Sequence, residues 1–353
     1  MELSLVETPT PVVELDIVEA NLRRMQDYCD RAGIALRPHI KTHKIPALAH
    51  RQIELGARGI TCQKLGEAEV MADAGIDDIL ISYPLVGVGK ALRLAGLAQR
   101  ATMRVSLDNR VALETVAEAG RIAGREIGVL VEFDSGNGRT GVTSIDEVLE
   151  LARAAREMAG VRFDGLMNYP VNARTGEILR DLLPKMESEG LKPGIISGGG
   201  TPNAFRTHEM APITELRVGT YIYNDRMTVA AGHASWDDCA YAVHVTVISR
   251  PRPDLAIIDA GSKVFSSDAM PPGTGDGHGY FPAYAGAKLV KMSEEHGMVD
   301  VSACGGEAPK VGERLRVIPN HVCPVSNLFD RLIFTKGGAF QTFMPIAARG
   351  RSQ

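Results

Sequence analysis

The segment RPHIKTHK, residues 37–44, holds three cationic side chains and two imidazoles within eight residues. It begins as the end of a strand-like run. Lysine is a nucleophile only as the free amine, and neighbouring cations such as Arg37 and Lys44 favour that form. We therefore predict that Lys41 acts as an amine. A basic surface loop is the alternative interpretation.

Two glycine-rich segments could bind an anion or hold a donor. SGGGTP, residues 197–202, has three consecutive glycines that let the backbone approach an anion, and Ser197 and Thr201 add hydroxyl donors. This pattern predicts a phosphate site, with a mobile turn as the alternative. In DSGNGRTG, residues 134–141, Arg139 could point inward as a fixed donor.

The segment NHVC contains His321 and Cys323. Two residues apart on a strand, their side chains would share one face. An imidazole and a thiolate suit zinc, and two protein ligands would leave positions for water or substrate. A half-buried histidine beside a core cysteine is the alternative interpretation.

A lysine amine, a phosphate loop and an inward arginine in one protein suggest pyridoxal phosphate. The lysine would hold this cofactor as a Schiff base, the glycine loop would bind its phosphate, and the ring would serve as an electron sink.

Eight strand-like runs, with mostly helical segments between them, must position these residues. SIDEVLELARAAREMAG is the clearest helix, because Ser144 and Glu147 form a capping box. This order predicts a (β/α)8 TIM-type barrel, whose active groups lie at the carboxyl ends of the strands. An open doubly wound sheet is the alternative, but G-x-G-x-x-G is missing after the first strand. The runs are ALRPHI (35–40), GITCQ (59–63), DILISYP (78–84), MRVSLD (103–108), IGVLVEFD (127–134), FDGLMNYP (163–170), GIISGGG (194–200) and TELRVGTYI (214–222).

The pattern changes after residue 224. Runs with β-type composition are then separated by proline and glycine turns, with no long helical pattern between them. We predict a barrel over 10–224 and a second, β-rich domain over 225–353 with 1–9. The runs are CAYAVHVTVISRP, DLAIIDAG, RLRVIPNHVC and RLIFTKGGAF.

Composition excludes several classes of protein. The 353 residues include 39 basic and 43 acidic side chains, which argues against a nucleic-acid or membrane-surface partner. No apolar run is long enough to span a membrane, and the acidic start does not look like a signal peptide. The five cysteines form no C-x-x-C pair, so we expect a reducing, cytoplasmic location.

Taken together, RPHIKTHK, TCQKLGEAEVMADAG, GNGRTG, SGGGTP, ELRVGTYIYND and PNHVCPVSNL resemble the D-threonine aldolase and D-serine dehydratase family. These are fold-type III pyridoxal phosphate enzymes with an alanine-racemase-like barrel, and the resemblance covers nearly the whole chain. It implies a homodimer, a small D-amino acid substrate and a divalent metal, with zinc expected and manganese as the alternative. It also implies roles for particular residues: Lys41 as the Schiff-base lysine, Arg139 as the partner of the cofactor's phenolic oxygen, Gln63 and Tyr169 near the ring, Gly198, Gly199, Gly200 and Thr201 at the phosphate, Tyr221 or Tyr223 as a further donor, and His321 with Cys323 as metal ligands.

The chain departs from the family's aldolases at two positions. They place a histidine shortly after the tyrosine of strand six, where this chain reads YPVN, Tyr169 to Asn172. The His-x-Cys pair resembles the dehydratases, whereas aldolases more often have His-x-Asp. The segment GLMNY, residues 165–169, by contrast resembles the aldolase branch more than the dehydratase branch. On this resemblance we predict a D-threonine aldolase-like lyase acting on a D-3-hydroxy amino acid. Dehydration to a 2-oxo acid and ammonia is the alternative.

Two further hypotheses remain from other classes. A pyridoxal phosphate carrier without catalysis would not need the metal pair or the second domain. A racemase would need a second proton donor opposite Lys41, and the sequence shows no residue in that role.

Overall fold

The computed structural model describes residues 2–353. Its strands, in chain order, are β1 (Thr10–Glu14), β2 (Ala35–Leu36), β3 (Ile60–Cys62), β4 (Asp78–Ile81), β5 (Thr102–Leu107), β6 (Ile127–Asp134), β7 (Val161–Tyr169), β8 (Ile195–Gly199), β9 (Glu215–Arg217), β10 (Tyr241–Arg252), β11 (Leu255–Ile258), β12 (Gly279–Tyr280), β13 (Lys288–Met292), β14 (Gly297–Asp300), β15 (Arg314–Pro319), β16 (Arg331–Lys336) and β17 (Ala339–Pro345).

The α-helices follow the strands in most of the first two-thirds of the chain. They are α1 (Leu15–Ala32), α2 (Pro46–Glu54), α3 (Leu65–Asp73), α4 (Val88–Ala98), α5 (Arg110–Ala123), α6 (Ile145–Glu157), α7 (Ala173–Ser188), α8 (Thr207–Met210), α9 (Arg226–Ala230), α10 (Ser262–Phe265) and α11 (Val322–Asn327). Within residues 2–353, no helix is both long and apolar enough to cross a bilayer.

The chain divides into two compact units. One contains Arg24–Lys41, Pro46–Gly219 and Gly350–Gln353, and we call it the barrel unit. The other contains the residues up to Arg23, Thr42–Ile45 and Thr220–Arg349, and we call it the β-rich unit. The division falls between Lys41 and Thr42, so neighbouring residues of the RPHIKTHK segment belong to different units.

The barrel unit is built on parallel strands in the order β2-β9-β8-β7-β6-β5-β4-β3. An isolated parallel bridge between His39 and Thr61 joins the extension of β2 to β3. Each of the eight predicted strand runs overlaps a strand of this sheet, and helices connect the strands. The (β/α)8 architecture is therefore confirmed.

The local sequence explains these elements. Seven of the eight residues of β6 are buried, as expected for a parallel strand covered on both faces. Ser144 caps α6 by accepting the Glu147 N–H at 3.2 Å, while Glu147 accepts the Ser144 N–H at 3.1 Å. The predicted capping box is thus present, and Val148 and Leu149 face the core.

The β-rich unit contains a mixed sheet in the order β13-β14-β11-β10-β1-β16-β17, with β15 paired to β10. β1 pairs antiparallel with β10 and parallel with β16. Each predicted β-type run after residue 224 contains at least one of these strands. The second, β-rich part of the fold is confirmed.

Candidate active site

Lys41 lies at the carboxyl end of the first barrel strand. It sits in a 3₁₀ turn, Ile40–Thr42, shortly after β2, and it is half-buried. Its backbone N–H donates to Nδ1 of His39 at 3.3 Å. The backbone of Lys41 is therefore fixed by a buried imidazole, while its side chain starts at the strand end where barrel active sites are found.

Gln63 is held beside the same imidazole. Its Oε1 lies 3.0 Å from Nε2 of His39, and its Nε2 donates to the Ser82 carbonyl at 3.2 Å. Because Nδ1 of His39 accepts the Lys41 N–H, the ring proton of a neutral His39 belongs on Nε2, where it can be donated to Gln63. The network links Gln63 through His39 to the backbone of Lys41.

Arg37 does not supply the excess positive charge expected around Lys41. Its side chain is fully buried, with Nε 2.7 Å from Glu215 Oε2 and a terminal nitrogen 2.7 Å from Asp78 Oδ1. Burial lowers the pKa of this guanidinium, but the two carboxylates outweigh burial and raise it. The expected role of Arg37 in favouring the amine is wrong, because two anions balance its charge.

The glycine loop follows β8. Gly200 has a φ of +121°, which a residue with a side chain rarely adopts, and a 3₁₀ helix, Thr201–Arg206, starts directly after it. A Cβ on Gly199 would lie 3.2 Å from a ring carbon of Tyr169, and one on Gly198 would lie 2.4 Å from Val171. The structure thus requires small residues here. Gly200 is itself buried, and its N–H donates to the Arg217 carbonyl at 3.3 Å.

The structure corrects the role that we predicted for Ser197. Its hydroxyl is fully buried, donates to Glu215 Oε1 at 2.8 Å and accepts from Nε of Arg217 at 2.9 Å. Since its only proton goes to Glu215, the structure contradicts the predicted role of Ser197 as a phosphate donor. Thr201, which is 7% exposed, keeps that predicted role.

Arg139 and Tyr169 come together at the carboxyl ends of β6 and β7. The Arg139 guanidinium carbon lies 4.7 Å from the centre of the Tyr169 ring, in a cation–π contact. Asp134 shapes the loop by accepting the N–H groups of Gly136 and Asn137 at 2.9 and 2.8 Å. Arg139 is exposed and held over an aromatic face, so its charge is available to a ligand.

Two charged residues inside the barrel were missed. Arg217 is 5% exposed, burial lowers its pKa, and it donates to the Asn168 carbonyl at 2.8 Å. Glu132 accepts from the Thr140 hydroxyl at 2.9 Å, and burial raises its pKa. A charged residue within an otherwise apolar barrel strand is the sequence signal that could have identified both.

Tyr221 and Tyr223 belong to the β-rich unit. Tyr221 lies in a 3₁₀ turn, Thr220–Ile222, and is 2% exposed. Tyr223 is fully buried, and its hydroxyl has no hydrogen-bond partner among residues 2–353. Burial also raises the Tyr223 pKa, so this hydroxyl keeps its proton and can donate to an acceptor.

The predicted strand position of His321 and Cys323 is wrong. β15 ends at Pro319, His321 is the N-cap residue of α11, and Cys323 lies in its first turn. The buried Asp225 carboxylate accepts the Val322 N–H at 2.9 Å and fixes the start of the helix. The two side chains still meet, because His321 and Cys323 hydrogen-bond to each other.

Asp268 completes this pair and was not predicted. Its Oδ2 lies 2.8 Å from Nδ1 of His321, although 53 residues separate them in the chain. Burial lowers the His321 pKa, but hydrogen bonds and charge from Cys323 and then Asp268 outweigh it and raise the pKa to about 9. A carboxylate on Nδ1 orients the ring and leaves Nε2 as the nitrogen for a metal.

The donor set of this pair fits an open metal site. Within residues 2–353, no group of three or more His, Cys, Asp or Glu side chains is arranged to hold a metal ion. One imidazole and one thiol leave further positions for water or substrate, as in catalytic rather than structural zinc sites.

Asn172 lies where the resemblance to the aldolases leads us to expect a histidine. Its side-chain oxygen accepts the Thr175 N–H at 3.1 Å, and its amide donates to the Ser135 carbonyl at 3.1 Å. Asn172 therefore caps α7 and offers no acid or base.

The fold and these residues define a class of protein: an alanine-racemase-like barrel enzyme with a β-rich second part. Residues 13–227 match the family of alanine racemase N-terminal domains, and residues 240–335 match the serine dehydratase domain family. The chain belongs to the fold-type III pyridoxal phosphate enzymes and, within them, to the D-threonine aldolase and D-serine dehydratase family of lyases acting on D-amino acids.

Individual relatives support this assignment. The chain is 38% identical to D-threonine aldolase from Arthrobacter sp., covering 99% of this chain and 95% of that protein. It is 31% identical to 3-hydroxy-D-aspartate aldolase from Paracoccus denitrificans (strain Pd 1222), covering 99% and 94%.

Solved structures agree. D-threonine aldolase from Filomicrobium marinum has a TM-score of 0.90 and 34% identity, covering 99% of this chain and 98% of that one. A cysteine variant of D-threo-3-hydroxyaspartate dehydratase, solved in a metal-free form, has a TM-score of 0.84 and 28% identity, covering 98% and 99%.

Proposed function

We propose that this protein cleaves the Cα–Cβ bond of a D-3-hydroxy amino acid to give glycine and an aldehyde, as a D-threonine aldolase does. The proton of the β-hydroxyl is lost and one is gained at Cα, so the reaction is balanced. The observation that carries the choice of aldolase is the 38% identity to a D-threonine aldolase over 99% of the chain. The His321–Cys323 pair oriented by Asp268, and Lys41 after the first barrel strand, supply residues that either lyase reaction needs.

The residues of the barrel fit pyridoxal phosphate. Lys41 would hold the cofactor, Arg139 would face its phenolic oxygen, and the loop of Gly198, Gly199 and Gly200 with the Thr201 hydroxyl would bind its phosphate. When bound, the cofactor supplies an electron sink for the pair of electrons left at Cα. Gln63 and Tyr169 would flank the ring, and the unpartnered hydroxyl of Tyr223, or else Tyr221, would add a donor.

The residues of the β-rich unit fit a divalent ion, for which we propose zinc, with manganese as the alternative. Nε2 of His321 and Sγ of Cys323 would be its protein ligands, and a thiolate favours zinc over magnesium. The ion supplies a Lewis acid for the β-hydroxyl. In this division of labour residues 10–224 bind the cofactor and residues 225–353 bind the metal. A cytoplasmic homodimer completes the proposal.

A specific observation favours dehydration as the second candidate. Asn172 is a helix cap, so a base for the hydroxyl proton is missing at the position where aldolases carry histidine. If Lys41 takes the proton from Cα and the hydroxyl leaves Cβ as water, the product is an enamine. The enamine tautomerises to an imine, and water hydrolyses the imine to a 2-oxo acid and ammonia. The same metal pair would assist this reaction.

The test is incubation of the metal-loaded holoenzyme with D-threonine, D-serine and D-3-hydroxyaspartate, assayed separately for glycine and for 2-oxo acid. Glycine with an equimolar aldehyde supports the aldolase. A 2-oxo acid with ammonia supports the dehydratase. Inversion of the configuration at Cα alone would support a racemase and contradict both. Lys41→Ala is the matched control for background reaction.

A further inference from the structure

Two threonine hydroxyls surround the sulfur of Cys323. Oγ1 of Thr42 lies 3.0 Å from Sγ, and Oγ1 of Thr220 lies 3.7 Å from it. Thr42 is fully buried, so its hydroxyl has no access to water. All three residues belong to the β-rich unit.

The position of Thr42 is set by the same turn that carries Lys41. Thr42 ends the 3₁₀ turn Ile40–Thr42, and Lys44, two residues later, donates from Nζ to Oδ1 of Asn327 at 2.8 Å. Asn327 is the last residue of α11, the helix that contains Cys323. The segment is therefore tied to α11 at two points, and Thr42 cannot easily turn away from the sulfur.

A hydroxyl placed in this way has a definite effect on a metal ligand. The proton of a threonine hydroxyl rotates freely, so it can be donated to a thiolate. Such a charge-assisted hydrogen bond stabilises the anionic form of the ligand and fixes the direction of its lone pairs. Groups that contact metal ligands in this manner commonly change metal affinity by about 10–100-fold.

We propose that Thr42 is a positioning residue for Cys323 as a metal ligand, with Thr220 as a second, weaker donor. This inference rests on the proposed function, because it assumes that His321 and Cys323 bind the metal. Thr42 has no ligand role itself and acts through the sulfur. The buried hydroxyl, rather than the bulk of the side chain, is the feature that matters.

The experiment compares Thr42→Val, which keeps the shape and removes the hydroxyl, with Thr42→Ser, which keeps the hydroxyl. The holoenzyme is stripped of metal with a chelator and titrated with Co²⁺. The thiolate-to-cobalt absorption band in the near ultraviolet reports the Co–S bond, and competition with a chelator gives the Co²⁺ affinity. The thermal midpoint of each variant is measured to confirm folding.

We expect Thr42→Val to bind Co²⁺ about tenfold or more weakly, with a shifted or weakened band, and Thr42→Ser to restore both. Thr42→Ala, which also lacks the hydroxyl, must show the same loss and replaces Thr42→Val if that variant does not fold. Wild-type affinity and band in a folded hydroxyl-free variant would overturn the role of Thr42 and leave the metal pair intact. No thiolate band in the wild-type protein would overturn both proposals.

Discussion

Zinc binding should protect Cys323 from alkylation but should not protect Cys304. None of the five cysteines within residues 2–353 forms a disulfide; three are fully buried and two, Cys304 and Cys323, are half-buried. Iodoacetamide should therefore modify Cys304 and Cys323 first in the metal-free protein. Added zinc should slow the modification of Cys323 alone, because only that sulfur is a proposed ligand. The buried thiols are Cys29, Cys62 and Cys239.

The expected sizes of two effects can be worked out: the slower alkylation of the buried thiols and the protection of Cys323 by zinc. Burial raises the pKa of Cys29 and of Cys239 from 9.0 to about 12. At pH 8 their thiolate fraction is about 10⁻⁴, against about 10⁻¹ for a thiol with the ordinary value, so they should react about 10³-fold more slowly. Zinc at a hundred times its dissociation constant leaves about one site in a hundred open, and Cys323 should react about a hundredfold more slowly.

The assay is quantitative mass spectrometry of the cysteine-containing peptides over time, with and without zinc. Cys304 serves as the internal control for general accessibility. Equal rates at Cys323 with and without zinc would refute the thiolate ligand. Equal protection of Cys304 would show that zinc acts on the whole protein rather than on this pair.

Three further changes test the structure elsewhere. Glu215→Gln should destabilise the protein by about 3 kcal/mol in chemical denaturation, because it leaves a buried guanidinium without one of its two carboxylates. Glu189 pairs with a solvent-exposed arginine, so Glu189→Gln should change stability far less. Equal destabilisation by the two variants would contradict the importance of the buried pair between Arg37 and Glu215. Gly200→Ala should weaken retention of pyridoxal phosphate on dialysis by about tenfold or more, because its φ of +121° strains any side chain. Gly124→Ala, at a φ of +64° in the turn after α5, should cost stability but not cofactor, and cofactor loss in both variants would point to general unfolding. Burial and then two nearby arginines lower the pKa of His244 to about 4, so the unfolded state alone gains a proton as the pH falls below 6.5. The free energy of unfolding should fall by up to about 3 kcal/mol between pH 6.5 and 4, and a His244→Asn variant with the same slope would exclude His244 as the cause.

Periodicity and turn residues were sufficient to predict the barrel. Each strand run is short and apolar and is followed by a helix, and the capping box at Ser144 and Glu147 marks the start of α6 from two side chains alone. Such features are local, so they are visible in the sequence. The same reasoning located Lys41 and the 198–201 loop at strand ends.

The partners of these residues depend on contacts between distant parts of the chain. Asp268 reaches His321 across 53 residues from a loop with no distinctive spacing. The neutralisation of Arg37 requires a carboxylate from β9, which only the closed sheet brings near. Cys323 lies on a helix because β15 ends at Pro319 and because Asp225 fixes the N-terminus of α11. The alternation of apolar residues in the sequence reveals neither of these boundaries.

The point of attachment of the cofactor tests most directly the proposal that Lys41 holds pyridoxal phosphate. Borohydride reduction of the holoenzyme, followed by peptide mapping, should place the pyridoxyl group on Lys41. Two other lysines are close in sequence or in the barrel and serve as controls: Lys44, whose Nζ donates to Asn327, and Lys64, whose Nζ lies 3.7 Å from the centre of the Tyr83 ring. Label on Lys41 alone is the predicted result, and label on Lys44 or Lys64 would contradict the central claim.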